Sequence, residues 1–478
     1  MKIKNLKVEN FKILKGTHEI NFDSNLIFLV GENNSGKSTI LESINYLVNG
    51  PEKDKKYKTN SATTTEFVTV EAVLEGDFDN LVDDLKKYEP YIYADGDKKF
   101  IKIKRSDKEE KITQNKKEVT LDESKIQAYN PTTQQFENPA GKDTTFKNFL
   151  DTVFVWSDTL PSDIIDFGTT KILGKLVNKY SKEFFASDKY KEFQATHEQI
   201  FHLDDDSLQK KLEGLSNSIT AIFKEQYGEA SVQFNFGLVD NAAYVKNGSL
   251  FVEENGNKDD LINKGSGMQR AIALSIIQLF SNVGDIASEN KLIFCIDEPE
   301  LNLHPKAQEK LLEALIQISS NLQIFVTSHS PYILKKFSKL DHKVFICKKN
   351  PNVVVSPIED LSIVSWGPTL SEIDYFAYDI SSKELYNELF SCLEYLVEQD
   401  LKLKTKVELY LTETKKITQI PYVRLKRDAT TVNENWTHLS VIRHKIHHQE
   451  NTHNTALASA EIVSGVAELI ALISELKT

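Results

Sequence analysis

Sulfur is scarce in this sequence, and basic residues are outnumbered. Only three cysteines occur among 478 residues. Cys295, Cys347 and Cys392 are too scattered for a zinc site, and an odd number does not make a disulfide framework. They read as small core residues in a reducing compartment. No apolar run approaches the roughly 18 residues that a membrane span needs. Met1 to Lys7 alternates apolar and polar residues and lacks the apolar core of a secretion signal. The expected setting is cytoplasmic, with no membrane partner. A net charge of −12 argues against a surface given over to phosphate contacts, while leaving room for a local basic site. Internal repeats and low-complexity tails are also missing.

What is present fits a soluble globular chain with room for two or three domains: 40% hydrophobic and 27% charged residues. Residues 1–50 read as strands, a glycine loop and a helix, with a short apolar run from Leu26 to Val30. Residues 66–121 read as strands, as in Phe67–Leu74 and Phe100–Lys104, with a hairpin turn at Asn115–Lys117. A polar loop is expected over 122–141. From about 170 to 226 apolar residues recur at spacings of three and four, which predicts a helical insertion. Strands return at Val232–Phe236. A helix (268–282), a strand (Leu292–Ile296), a helix (305–319), a strand (Leu322–Val326) and a strand pair (343–355) follow. Such alternation predicts a sheet with helices packed on it. Residues 359–370 read as a linker and 371–478 as an all-helical domain.

Between a predicted strand and a predicted helix stands Gly31-x-x-x-x-Gly36-Lys37-Ser38, with Asn33, Asn34 and Ser35 inside it and Thr39 after it. In that context glycines let backbone N–H groups turn around phosphates, and the helix N-terminus adds its dipole. Lys37 is placed for the β- and γ-phosphates of ATP, and Ser38 for Mg²⁺. A chance glycine turn is the competing reading, and the context counts against it. The strand from Leu292 ends in Asp297 and Glu298, where phosphoryl transfer needs a metal-holding acid and a water-polarising base. Two acids ending a strand are otherwise mere solvated punctuation. The strand from Gln323 delivers His329 in the same way. Gly265-Ser266-Gly267-Met268-Gln269 opens a helix about 30 residues before the acids, its glycine amides suited to an anion.

Taken together, residues 1–358 resemble the RecF-like and OLD-like branch of ABC-type ATPases. Leu303-His304-Pro305 and Ser328-His329-Ser330-Pro331 are typical of that branch. The resemblance implies an α/β P-loop head, a mixed sheet flanked by helices, carrying a helical insertion. It also implies a homodimer through the heads, with two ATPs at the interface. His329 then corresponds to the switch histidine at the γ-phosphate. The loop at Gly265, Ser266, Gly267 and Gln269 corresponds to the signature that reaches the opposite subunit's nucleotide. The usual signature serine slot holds Gly265, with Ser266 one place later, so the hydroxyl contact stays open. Gln134 and Gln135 are weak candidates for the Q-loop.

OLD-family proteins usually continue into a Toprim nuclease, which needs an Asp-x-Asp pair. None follows residue 340, so that nuclease is expected to be missing. Residues 402–448 instead hold ten Lys/Arg against four Asp/Glu, whereas 372–400 hold eight Asp/Glu against Lys383 alone. Within the basic stretch, Arg443 and His448 flank four residues, and the polar His444 follows the arginine. This resembles the Arg-x4–6-His motif of HEPN ribonucleases, whose histidine moves protons at the ribose and whose arginine steadies phosphate charge without a metal. On an ideal helix the two side chains lie roughly 140° apart. They converge only where the helix ends nearby or a partner chain supplies one. A charged helix end is one rival reading. A metal pair at His444 and His448, one turn apart, is another. The acidic segment either masks the basic site at rest or is a solvated helical face.

The reading is an ATPase whose nucleotide-dependent dimerisation controls a C-terminal ribonuclease in bacterial anti-phage abortive infection, acting on RNA, with tRNA a candidate. Its rivals are an ATPase scaffold for a separate effector or antitoxin protein, and a RecF-like ATPase of DNA transactions.

Overall fold

A computed structural model describes the chain apart from residues 54, 59–64, 79–82, 115, 140–145, 147–149, 158–164, 169–170, 228–229, 239, 283–291, 302, 335–341, 400–406, 427 and 478. The chain divides into two units. One joins Met1–Ser157 to Ala287–Thr478, and the other is Asp158–Ile286.

The first unit holds two sheets. One is antiparallel: β1 (Lys2–Phe11), β2 (Leu14–Asn21), β4 (Thr69–Gly76), β6 (Lys98–Ser106), β9 (Gln127–Asn130) and β10 (Gln135–Glu137), in the order β10-β9-β6-β4-β1-β2. β5 (Ile92–Asp95) pairs with β6 off this path. A period of two is plainest in β4. There Val70, Ala72 and Leu74 are buried, while Thr69, Glu71 and Val73 between them are less so. The loop expected over 122–141 thus contributes two strands. β7 (Glu110–Gln114) and β8 (Lys117–Leu121) form a separate hairpin. Its turn falls where the sequence placed it, although Asn115 lies outside the described residues.

The second sheet runs β11-β14-β15-β3-β16-β17, with β3 (Leu26–Val30), β11 (Asp151–Val155), β14 (Leu292–Asp297), β15 (Gln323–Ser328), β16 (His342–Lys349) and β17 (Val353–Pro357). All neighbours are parallel except β16 and β17. β3, β14 and β15 are buried at every position. That is why their sequences are continuous apolar runs rather than alternating ones: both faces of a parallel sheet are covered. Register settles where their ends lie. Val30 pairs with Ser328 and Asp297 with Thr327, so β3, β14 and β15 finish level, side by side. The helix Lys37–Asn49 touches strands of both sheets. Arg105, fully buried on β6, donates to the carbonyls of Leu47 (3.0 Å) and Glu123 (2.7 Å), tying the end of that helix to the antiparallel sheet.

The C-terminal region belongs to the same unit. Helices Leu370–Tyr378, Lys383–Gln399, His438–His447 and Ser459–Lys477 build it. Its own core gathers Leu385, Leu389, Leu393, Leu439, Val466 and Leu469. The region is not purely helical. β18 (Gln419–Leu425) and β19 (Thr431–Thr437) form a hairpin. Along β19, half-buried Val432, Glu434 and Trp436 alternate with exposed neighbours, a period-two pattern within a polar stretch. The stretch expected as a linker is pinned by Glu372, fully buried. Its carboxylate accepts from the amides of Ile363 (2.6 Å), Val364 (2.9 Å) and Thr369 (3.0 Å). The acids of 372–400 are therefore not merely a solvated face.

In the second unit, helices Ile172–Ala186, Asp188–Glu198 and Glu213–Tyr227 fill the expected helical span. β12 (Phe251–Glu254) and β13 (Asn257–Asp260) form a hairpin before the helix Ser266–Asn282. Val232–Phe236 pairs with no strand among the described residues. Thr220 on the neighbouring helix instead accepts from the Val232 amide (2.9 Å), ending any ladder there.

One buried carboxyl in the helix Leu370–Tyr378 sets a pH dependence. Burial pushes Asp374 up to about 6 from its ordinary 3.8, and its Oδ1 has no hydrogen-bond partner among the described residues. The folded state thus holds a proton that the unfolded chain releases, and stability falls as pH rises from about 4 to about 6. Asp374→Asn should flatten that slope and stabilise the protein above pH 7 by on the order of 1 kcal/mol, after allowance for its partial exposure. Denaturant unfolding of both forms at pH 5 and pH 8 checks this.

Candidate nucleotide site and C-terminal cavity

The level strand ends deliver three loops to one place. After β3 comes the glycine loop. Gly31 has φ +146°, and a Cβ there would collide with the carbonyl of Cys347. Gly36, at φ +100°, opens the helix Lys37–Asn49 and, as its N-cap, has no side chain to cap its amides. Ser35 Oγ is buried without a hydrogen-bond partner among the described residues. Lys37 is buried, and its ammonium donates to the carbonyls of Gly31 (3.0 Å) and Glu32 (2.8 Å) and faces His329 Nδ1 at 3.5 Å. Burial lowers its pKa.

After β14 come the acids. Ser38 Oγ donates to Asp297 Oδ1 at 2.7 Å, and Thr327 Oγ1 donates to the same oxygen at 2.6 Å. Glu298 sits at φ +49°, in the left-handed region, and its Oε1 lies 2.8 Å from His329 Nε2. Burial, reinforced by the Lys37 charge, lowers the His329 pKa against the pull of Glu298. The ring is therefore neutral near pH 7. Its partners assign the tautomer: Nε2–H donates to Glu298, and Nδ1 accepts from Lys37. Glu300 lies beneath. Its Oε1 accepts from Ser328 Oγ (2.6 Å) and the His329 amide (2.9 Å), and burial raises its pKa.

The structure thus brings Lys37, Ser38, Asp297, Glu298 and His329 together. Gly265, Ser266, Gly267 and Gln269 belong to the second unit. Gly265 precedes the helix, its carbonyl accepting from the Met268 (3.0 Å) and Gln269 (3.1 Å) amides. Gln269 Nε2 ties the loop back to the carbonyls of Ile262 (2.9 Å) and Lys264 (2.7 Å). Gln134 stands in a left-handed turn, and Gln135 on the outermost strand of the antiparallel sheet.

A cavity of about 550 Å³ opens in the C-terminal region between Phe390, Glu394, Trp436, Arg443, His444 and His448. The helix ends at His447, and His448 takes up φ −121°, ψ 60° beyond it. That break brings Arg443 and His448 to one cavity despite their angular separation on a continuous helix. Arg443 pairs with Glu394 and stacks over Phe390 at 4.4 Å. His444 is sandwiched between Tyr422 (5.3 Å, 20° between planes) and His448 (6.1 Å, 25°). Burial, with His448 and Arg424 beside it, lowers its pKa. His448 Nδ1 lies 3.1 Å from Glu450. Among the described residues, no three His, Cys, Asp or Glu side chains are grouped to hold a metal ion.

A sequence-family model described as "AAA ATPase domain" matches residues 1–334. The chain belongs to that family. Among curated proteins, this ATPase is similar to the Old nuclease of Escherichia phage P2, 26% identical over 449 residues, covering 89% of this chain and 70% of that protein. The OLD nuclease of Thermus scotoductus is 27% identical over 168 residues, covering 34% of this chain and 30% of its own length. Among solved structures, an SMC head bound to the C-terminal winged-helix domain of ScpA is 13% identical, with a TM-score of 0.43 over 76% of this chain and 99% of that one. The SMC head domain from Thermotoga maritima is 12% identical, with a TM-score of 0.36 over 75% and 99%. No described helix is long and apolar enough to cross a membrane.

The ATPase's glycine loop fits a nucleotide. Gly31 lets the loop pass close against the Cys347 carbonyl, Gly36 opens the helix with no side chain of its own to cap its amides, and Ser35 Oγ is a buried group without a hydrogen-bond partner among the described residues. Sequence reasoning missed Thr327 and Glu300, although both stand within a few residues of quoted motifs. Lys37→Ala should abolish nucleotide binding while leaving the fold intact, because it removes the one cationic side chain of the loop. Titration with a fluorescent ATP analogue, alongside thermal unfolding, checks both halves.

Proposed function

We propose that this ATPase binds ATP with Mg²⁺ between two heads and uses the nucleotide state to control RNA cleavage in its C-terminal cavity. Ser38 and Asp297 would hold the Mg²⁺, which neutralises phosphate charge when bound. Glu298 polarises the attacking water, and neutral His329 orients that carboxylate. The loop at Gly265–Gln269 serves the nucleotide of the opposite head. In the cavity, His448 exchanges protons at the ribose 2′-OH and the leaving oxygen. Arg443 stabilises the charged phosphate. A defence role against phage, through abortive infection, accords with similarity to a phage-borne nuclease.

The carrying observation is the convergence of Arg443 and His448 on one cavity at a helix end. Control is supported by a run of contacts from the nucleotide site. Tyr378 Oη donates to the Ser328 carbonyl (3.4 Å), one residue before His329. Thr369, capping Tyr378's helix, donates to Glu388 (2.7 Å), whose own helix carries Glu394 to Arg443. In this reading Glu394 masks Arg443 until the nucleotide state changes. Incubating the purified protein with labelled RNA in EDTA, after activation by ATP has been allowed, tests the reading: cleavage supports it.

The same ion pair favours one rival. With Glu394 on Arg443 and Glu398 and Glu408 also lining the cavity, its rim is partly acidic, as a docking site for a separate basic effector would be. Absence of cleavage by the chain alone, with activity restored by a partner protein, would favour that scaffold reading.

A further inference from the structure

Thr327 bonds to both acids of the nucleotide site, and neither the strand nor the core requires it to. It stands on β15 directly across from Asp297 and is fully buried. A buried strand position of this kind is ordinarily filled by valine or isoleucine, whose branched side chains pack equally well. The hydroxyl is what differs. It donates to Asp297 Oδ1 at 2.6 Å and accepts from the Glu298 amide at 3.0 Å. The Thr327 carbonyl accepts from that same amide at 3.2 Å.

These bonds fall where the backbone is least comfortable. Glu298, with a full side chain at φ +49°, occupies a strained conformation that persists only when neighbours over-determine it. The two acceptors of Thr327 hold that amide. The result is a carboxylate turned to His329 at 2.8 Å rather than onward along the strand. The same hydroxyl shares Asp297 Oδ1 with Ser38, so one atom sets both the direction of the first acid and the backbone of the second.

We propose that Thr327 is a positioning residue of the ATPase reaction, acting through Asp297 and Glu298 without touching nucleotide. The inference concerns the ATPase alone and is independent of what the C-terminal cavity does. Thr327→Val keeps shape and branching but removes the hydroxyl, whereas Thr327→Ser keeps the hydroxyl and removes the methyl. Loss of an outer-shell partner of this kind typically costs about 10- to 100-fold.

The test measures steady-state ATPase, equilibrium binding of a fluorescent ATP analogue, and thermal unfolding for both variants. Thr327→Val should lower kcat roughly 10- to 100-fold, with analogue affinity and KM within about threefold of wild type. Thr327→Ser should restore kcat to within about threefold. In a Glu298→Gln background the valine substitution should cost less than it does in the wild type, because one of the two acids it positions is already disabled. An unchanged kcat in Thr327→Val overturns the proposal. So does equal loss in valine and serine forms, which would make packing the cause, and so does full additivity with Glu298→Gln. If Thr327→Val does not fold, Thr327→Ala against Thr327→Ser makes the same comparison: alanine impaired and serine active supports the role, and equal rates overturn it.

Discussion

Glu298→Gln is expected to bind ATP normally and to hydrolyse it about 10²- to 10⁴-fold more slowly, the range a lost general base produces. The substitution is nearly isosteric, so the loop, Lys37 and the Ser38–Asp297 pair keep their places. What changes is basicity: an amide does not draw a proton from water. The backbone at φ +49° is held by Thr327 and is indifferent to the side chain's charge. On the proposed two-headed arrangement, slow turnover should trap the ATP-bound dimer. Light scattering with and without ATP would show the mass double in the variant. A mass that stays monomeric while turnover remains fast would count against both the base assignment and the dimer.

Arg443→Ala and His448→Ala are each expected to remove RNA cleavage, by about 10²- to 10⁴-fold where proton transfer is lost, and with it any growth arrest on expression. Both should leave the ATPase rate alone, since Arg443 and His448 share no contact with Lys37, Asp297 or Glu298 among the described residues. Arg443 is also a packing residue, paired with Glu394 and stacked on Phe390, so Arg443→Lys separates charge from shape. Lysine keeps the charge but not the planar fork, and should recover only part of the activity. His447 is a less clean control than its place outside the motif suggests, because it lines the same cavity. His438, paired at 2.6 Å with Glu468 and outside the cavity lining, serves better.

The nucleotide site was legible because its parts are local in sequence and tied to strand ends. A glycine loop, two acids and a histidine each follow a buried apolar run, and parallel register brings those ends level. Thr327 was not legible, because a threonine in a strand carries no pattern; its role emerges only once β14 and β15 are paired. Glu300 hid for a similar reason, as a third acid beside two that already had roles. Strands of the antiparallel sheet were legible one by one, but not their gathering into a sheet of their own, and β9 and β10, with four and three residues, are too short to show a period. The hairpin at 419–437 was missed because lysines and arginines dominate its surroundings. Arg443 and His448 could be picked out, but their convergence depends on where the helix ends, and sequence does not fix that to one residue.

The central claim is that the nucleotide state of the head governs metal-independent RNA cleavage by the same chain. Cleavage of a labelled RNA pool by wild-type protein, by Glu298→Gln and by His448→Ala, each with and without ATP and then quenched into EDTA, tests it most directly. Wild type should cut at a rate that changes with ATP and persists in EDTA. Glu298→Gln should hold the ATP-bound rate once ATP has been added and match the ATP-free wild type without it, and His448→Ala should not cut. Cleavage that ignores ATP, disappears in EDTA, or survives in His448→Ala would contradict it.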